Sequence, residues 1–134
     1  MANIKNLQMW NNICSDARIG IKKTMFGLFS TVIYTPTGCP VDAVQLEYSH
    51  ADGNRMNQIL STSSEEMAKL MAEFRPKPQL NGNYLAEVCH SRDGVFLAVR
   101  LYQFSQLNYV PVSDVLVFEG EQARTVREMF LRKG

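Results

Sequence analysis

Residues 113–131 constrain this chain most, because they run a short apolar strand almost directly into an amphipathic helix. Val115 to Phe118 form the apolar run, and Glu119 and Gly120 turn the chain. Ala123, Val126 and Phe130, with Met129 beside them, then fall on one helical face, while Arg124, Arg127 and Glu128 fall elsewhere. A weaker copy closes the first half of the chain. There Ile59 and Leu60 lead through four Ser/Thr residues into a helix over 65–75, with Met67, Leu70 and Phe74 on its apolar stripe. The offset between the copies is constant at 56, from Glu65 to Glu121, Leu70 to Val126 and Phe74 to Phe130.

The rest of the pattern fits two strand-rich units, each ending in a helix. Ile4, Leu7, Trp10 and Ile13 make a helical stripe over 3–15, with Asn3 as its N-cap. Alternation or β-branched runs mark strands over 17–24, 28–35, 41–49 and 55–60, with a bend at 25–27 and a hairpin turn at 51–54. Pro76 to Gly82 read as a linker. The second half offers strands over 83–91, 95–104, 107–112 and 114–118, with a turn at Arg92-Asp93-Gly94. Pro111 pushes its strand toward an edge or a bulge. The expected fold is therefore α+β: two ββββα-type units (17–75 and 83–134), antiparallel sheets packed on helices, preceded by an N-terminal helix (1–16) and joined by the linker 76–82. At 134 residues the chain makes one domain, or two halves sharing one core.

Composition narrows the function classes. A net charge of +1 gives no global attraction to duplex DNA or acidic membranes, so a nucleic-acid role must rest on a local basic patch. Three widely spaced cysteines, Cys14, Cys39 and Cys89, fit a reducing cytoplasm better than a disulfide framework. The first residues lack an uninterrupted apolar core, and no apolar run approaches the roughly 20 residues of a membrane span. A cytoplasmic protein without membrane contact is expected.

No catalytic constellation has diagnostic spacing. Cys89 and His90 are adjacent, but strand neighbours point to opposite faces and cannot act as nucleophile and base. His50 and Asp52 alone make no metal site. Glu65, Glu66, Glu119 and Glu121 sit at helix N-termini, where the helix dipole accounts for them. There is no glycine-rich phosphate loop. Neither enzyme activity, cofactor nor metal is expected.

The 95–104 strand carries Val95, Leu97, Val99 and Leu101 on one face and Phe96, Arg100, Tyr102 and Phe104 on the other. Aromatic rings interleaved with a guanidinium suit a single-stranded nucleic acid, whose bases stack on the rings while cations meet the phosphates. Arg18, Lys22 and Lys23 on the first strand, with Tyr34 and Tyr48 on its neighbours, supply a matching surface in the first half. The same residues also suit burial between two sheets or two subunits. The two ββββα units resemble the layout of the Whirly, PUR and positive-cofactor-four group of single-stranded nucleic-acid-binding proteins. The residues behind the likeness are the two strand–helix closures and the 95–104 strand. The resemblance implies binding of ssDNA or RNA across the sheets, by dimers or higher oligomers. Three functions stay in play: a non-enzymatic single-stranded nucleic-acid-binding protein, a homo-oligomeric interaction module, and an enzyme or small-molecule binder with a site between the halves.

Overall fold

The computed structural model describes residues 7–23, 31–62 and 64–131. The elements run α1 (Leu7–Asp16), β1 (Gly20–Lys23), β2 (Thr31–Tyr34), β3 (Pro40–Tyr48), α2 (His50–Leu60), α3 (Ser64–Glu73), β4 (Tyr84–Ser91), β5 (Phe96–Ser105), β6 (Asn108–Pro111), β7 (Leu116–Glu119) and α4 (Glu121–Leu131). The fold is α+β. The seven strands of the described residues join one antiparallel sheet, a meander in the order β1-β2-β3-β4-β5-β6 with β7 pairing β5 beside β6.

The outer edge of β5 is shared. β6 covers Tyr102–Ser105, and β7 covers Phe96–Val99. Between them the chain bulges over residues 112–115. Val112 N–H donates to the Leu101 carbonyl at 2.9 Å, and the Ser113 hydroxyl accepts from Leu101 N–H at 3.0 Å. A side-chain oxygen thus stands in for the carbonyl that the bulge carries away. Because Val112 and Leu101 face each other across a ladder bond, Pro111 opposite Tyr102 directs its nitrogen away from β5. Its missing N–H costs the sheet nothing and blunts the free edge.

Strand register sorts the side chains into two faces. Tyr48, Tyr84, Ala86, Val88, Leu97, Val99, Leu101 and Phe118 lie on one face, where Met56, Ile59, Met67, Met71, Val126 and Phe130 of α2, α3 and α4 cover them. Ile33, Val41, Ala43, Cys89, Phe96 and Ala98 lie on the other, under Trp10, Ile13, Cys14 and Ala17 of α1 and its end. The middle strand β4 is buried along its whole length. The sheet therefore divides two cores, with three helices on one side and α1 on the other.

The second half matches the β-β-β-β-α expectation, but the first does not. Residues 55–60, expected as a strand after a 51–54 hairpin, belong to α2. Ser49 caps that helix, its hydroxyl accepting from Asp52 N–H at 3.2 Å, and the buried Gly53, Met56, Ile59 and Leu60 fall at helical spacing. Gly53 is required by close approach rather than by a turn: a Cβ there would overlap the Tyr84 side chain. The first half is thus β-β-β-α-α, and the two-unit repeat is not seen. Asn3, the bend at 25–27 and the start of the 28–35 strand lie outside the described residues.

Candidate binding cleft

Among the described side chains, the residues expected to form a nucleic-acid platform do not assemble into one. Tyr48 is fully buried on the three-helix face, its ring 6.4 Å from that of Phe130. Phe96 and Tyr102 lie on the opposite face and are only 8% and 2% exposed. Periodicity placed them on one side of β5, but it could not show that α1 and the sheet's own neighbours would close over that side. Arg100 is partly buried: its Nε donates to the Ser113 carbonyl at 3.1 Å, and its Nη1 lies 3.7 Å from Asp16. Phe104 is 41% exposed and packs edge-on against Tyr109 at 5.2 Å, out toward the sheet edge. Tyr34 is half-buried on β2, on the face opposite Ile33. Lys22 and Lys23 end β1, and their side chains lie outside the described residues. Arg18 is exposed, beyond the end of α1.

The face that carries Arg100 and Tyr102 is also acidic. Gln45, Glu87 and Arg100 form one cross-strand row, and Glu47, Leu85 and Tyr102 the next. Glu87 is fully buried; Gln45 Nε2 donates to its Oε2 at 3.3 Å, while its Oε1 has no hydrogen-bond partner. Burial pushes this carboxyl up, and Tyr102, Gln45 and Arg100 pull it back down. Tyr109 O–H donates to Glu47 Oε1 at 2.7 Å. Two carboxylates among the rings disfavour a phosphate backbone there.

The geometry instead brings chemistry together at one end of the sheet. In an antiparallel meander alternate turns share an end, so the β2–β3 turn (35–39) meets the β4–β5 turn (92–95). The end of α1 and the β7–α4 joint arrive at the same place. Between them lies a cleft of about 590 Å³, lined by Asp16, Ala17, Arg18, Thr35, Pro36, Thr37, Asp93, Val95, Phe96, Val117, Glu119 and Gly120. The volume falls within the range of about 300–1,000 Å³ typical of ligand sites. It is built from both halves of the chain.

Each wall is held by local hydrogen bonds. Helix α1 ends in a Schellman motif: Arg18 N–H donates to the Ser15 carbonyl at 3.2 Å, and Ile19 N–H to the Cys14 carbonyl at 2.8 Å. Ile19 and Cys14 pack together in the α1 core. The left-handed position of this motif, usually glycine, is Arg18 at φ 60°. In the β2–β3 turn the Thr35 hydroxyl accepts from Cys39 N–H at 3.1 Å and bonds the Thr37 hydroxyl at 3.0 Å. In the β4–β5 turn Asp93 Oδ1 accepts from Ser91 O–H at 2.5 Å and Val95 N–H at 3.1 Å, which holds its carboxyl below the usual range. Gly120 N–H donates to the Val95 carbonyl at 2.9 Å and ties the β7–α4 joint to the same turn.

The cleft has an apolar floor and a two-signed rim. Ala17, Pro36, Val95, Phe96 and Val117 supply the floor, and Val95 and Val117 remain more than two-fifths exposed. Asp16, Asp93 and Glu119 stand against Arg18. Asp16 is compensated by Arg100, whereas Arg18 and Glu119 have no ion-pair partner among the described residues. Of the residues singled out from sequence, Arg18 and Phe96 reach this cleft. The sequence marks Asp93 only as turn punctuation and Glu119 only as a carboxylate at a helix N-terminus, and it gives no sign of Asp16, Thr35 and Thr37 as cleft residues. The legible signal was topological: two tight turns one hairpin apart must share an end of the sheet.

A second cavity of about 520 Å³ follows from the bulge, lined by Asn57, Ser61, Arg100 and residues 111–114 among others. No group of three or more potential metal ligands occurs among the described residues, and no helix of the described residues is long and apolar enough to cross a membrane. No protein-family model, curated protein or solved structure matches the chain.

Proposed function

We propose that the protein is a binding protein whose ligand sits in the cleft between the two halves. The ligand is a small zwitterion with an apolar body, of the kind presented by an apolar amino acid or dipeptide. The observation that carries this reading is Arg18. A non-glycine residue in the left-handed region costs about 1–2 kcal/mol, and a helix end of this type is normally built with glycine to avoid it. Arg18 bears that strain at the rim of the one sizeable cleft with an apolar floor among those described, with its guanidinium unpaired. Strain retained at a cleft points to a use for the side chain. The guanidinium suits a ligand carboxylate, Glu119 and Asp93 suit an ammonium group, and the Phe96–Val117 floor takes the apolar body.

A nucleic-acid role keeps only scattered support, from Arg18 at one end of the sheet and Phe104 at the other. Self-association through the β6 edge is disfavoured by Pro111.

The test is amide chemical-shift mapping with leucyl-leucine, beside octylamine, octanoate and a mixed-sequence ssDNA. Saturable shifts with the dipeptide at residues 16–19, 35–37, 93–95 and 117–120 are expected, with weaker effects from either single-charge probe. Arg18→Gly should abolish those shifts while raising the melting temperature, since it removes the binding group and the strain together. Dipeptide binding unchanged in Arg18→Gly would overturn the reading. Shifts confined to β3–β5 with ssDNA would replace it with the nucleic-acid one.

A further inference from the structure

We infer that the bulge cavity is a second binding site, for a small aliphatic carboxylate held on the guanidinium of Arg100. β7 pairs with β5 as far as Val99 and β6 takes over at Tyr102, so Arg100 lies where β5 changes partner. The chain crosses this gap through residues 112–115 and leaves a cavity of about 520 Å³ against the last turn of α2. Arg100 lines it with Asn57, Leu60, Val112, Asp114 and Leu116 among others. The Arg100 side chain is only 18% exposed, yet its charge is loosely matched. Asp16 stands 3.7 Å away, too far for a hydrogen bond, and is itself 59% exposed. Glu87 is the cross-strand neighbour of Arg100 but makes no ion pair with it. Of the five guanidinium donors, only Nε–H has a hydrogen-bond acceptor among the described residues, the Ser113 carbonyl at 3.1 Å. A guanidinium this far from water normally fills its terminal fork with a carboxylate.

The remaining walls fit such a ligand. The Asn57 amide is a further donor, and Leu60, Pro111, Val112 and Leu116 offer apolar contact to a short aliphatic chain. The carbonyl end of α2 would repel an anion, but its acceptors are taken. Ser61 O–H and N–H donate to the Asn57 and Gln58 carbonyls at 2.7 and 3.2 Å. Thr62 N–H and O–H donate to the Ile59 carbonyl at 3.1 and 2.7 Å. Asp114 is the one carboxylate among the described lining residues, and it is exposed, where water and salt screen it. The site is separate from the cleft, yet joined to it by Arg100. A carboxylate bound there neutralises the cation that Asp16 faces, and Asp16 lines the cleft. The Asp16 charge then acts on the cleft undiminished and favours an ammonium group there. This coupling rests on the proposed function, whereas the cavity site does not.

The experiment is amide chemical-shift mapping of the full chain with isovalerate, beside isoamylamine, which has the same branched carbon skeleton. Isovalerate should give saturable shifts at residues 57–61, 100–101 and 112–116, and isoamylamine none there. Arg100→Lys keeps the charge but loses the planar fork, and should weaken isovalerate binding several-fold. Asn57→Asp adds a like charge on the surface of α2, far from the sheet core, and should weaken it in the same way. Asp114→Asn removes the competing carboxylate and should tighten it. Isovalerate shifts confined to residues 16–19, 93–95 and 117–120 would put the carboxylate on Arg18 and overturn the inference. So would equal shifts from isoamylamine, the lack of any saturable shift, or binding unaltered in both Arg100→Lys and Asn57→Asp. With isovalerate at saturation, octylamine should fill the cleft at about two- to fivefold lower concentration, the scale of one exposed ion pair. Unchanged octylamine binding would overturn the coupling. No octylamine binding at all, with isovalerate still bound, would count against the proposed function alone.

Discussion

Glu87 is the residue whose environment is least reconciled with its charge. Its carboxyl is fully buried, Oε1 has no partner, and the nearby Tyr102 hydroxyl has none either. Burial raises the folded-state value above the unfolded one, so the folded protein binds this proton more tightly. Its contribution to stability is then fully present below the unfolded value, near 4.5, and is lost as pH rises through the raised folded one. Glu87→Gln removes that loss. A glutamine at 87 would also satisfy both orphans, accepting from Gln45 and donating to the Tyr102 oxygen. We expect the variant to be about 1 kcal/mol more stable at pH 7, the scale of one regained buried hydrogen bond. Its stability should also fall less between pH 4.5 and 7 than that of the parent. Urea denaturation across that range decides it, and a parental pH profile in the variant would refute the assignment. Nothing in the sequence marks position 87, because a glutamate in an alternating strand reads as solvent-facing. Only the second layer of helix makes it interior.

At the scale of elements, what the sequence showed depended on how local the determinants were. The Val95–Phe104 alternation, the Arg92–Gly94 turn and α4 were all legible because a hairpin and a terminal helix encode themselves over a few residues. The α2 segment was misread for the same reason. Ala51-Asp52-Gly53-Asn54 carries hairpin chemistry, and the cap that decides otherwise, Ser49 on Asp52 N–H, lies outside the turn. The buried set at 53, 56, 59 and 60 includes a glycine, which no hydrophobic pattern counts. Gly53→Ala separates the two explanations for this glycine. In an exposed helix the change stabilises by about 1 kcal/mol. Here the new methyl overlaps the Cβ and ring of Tyr84, itself buried and unable to swing away. Overpacking should win, lowering stability by about 1–3 kcal/mol. A drop in the urea midpoint at unchanged slope is the expected observation. A gain in stability would show that α2 stands off β4.

At the scale of the molecule, the two halves are stitched into one sheet rather than set side by side. β3 and β4 pair continuously from Val41↔Ser91 to Tyr48↔Tyr84, across the boundary where the sequence suggested a division. The connecting segment adds to the seam: Gln79 N–H donates to the Glu47 carbonyl at 2.8 Å, and a Cβ on Gly82 would strike the Tyr48 backbone. Cutting the chain at Leu80, which is exposed, would leave each fragment with an unpaired central edge. Fragment 81–134 would also lose the whole α1 cover of β4 and the α2–α3 part of its cover on the other face, where only α4 would remain. Such an edge and such a surface outweigh the local propensity of the remaining hairpin and helix, because most helix and strand stability comes from packing. Two independent ββββα units would predict the opposite, with each fragment folding alone. We expect neither 1–80 nor 81–134 to show a cooperative thermal transition by circular dichroism. Mixed at equal concentration, the fragments should regain one transition, since the β3–β4 ladder and both cores reform together. A cooperative transition in 81–134 alone would return the fold to two separable units.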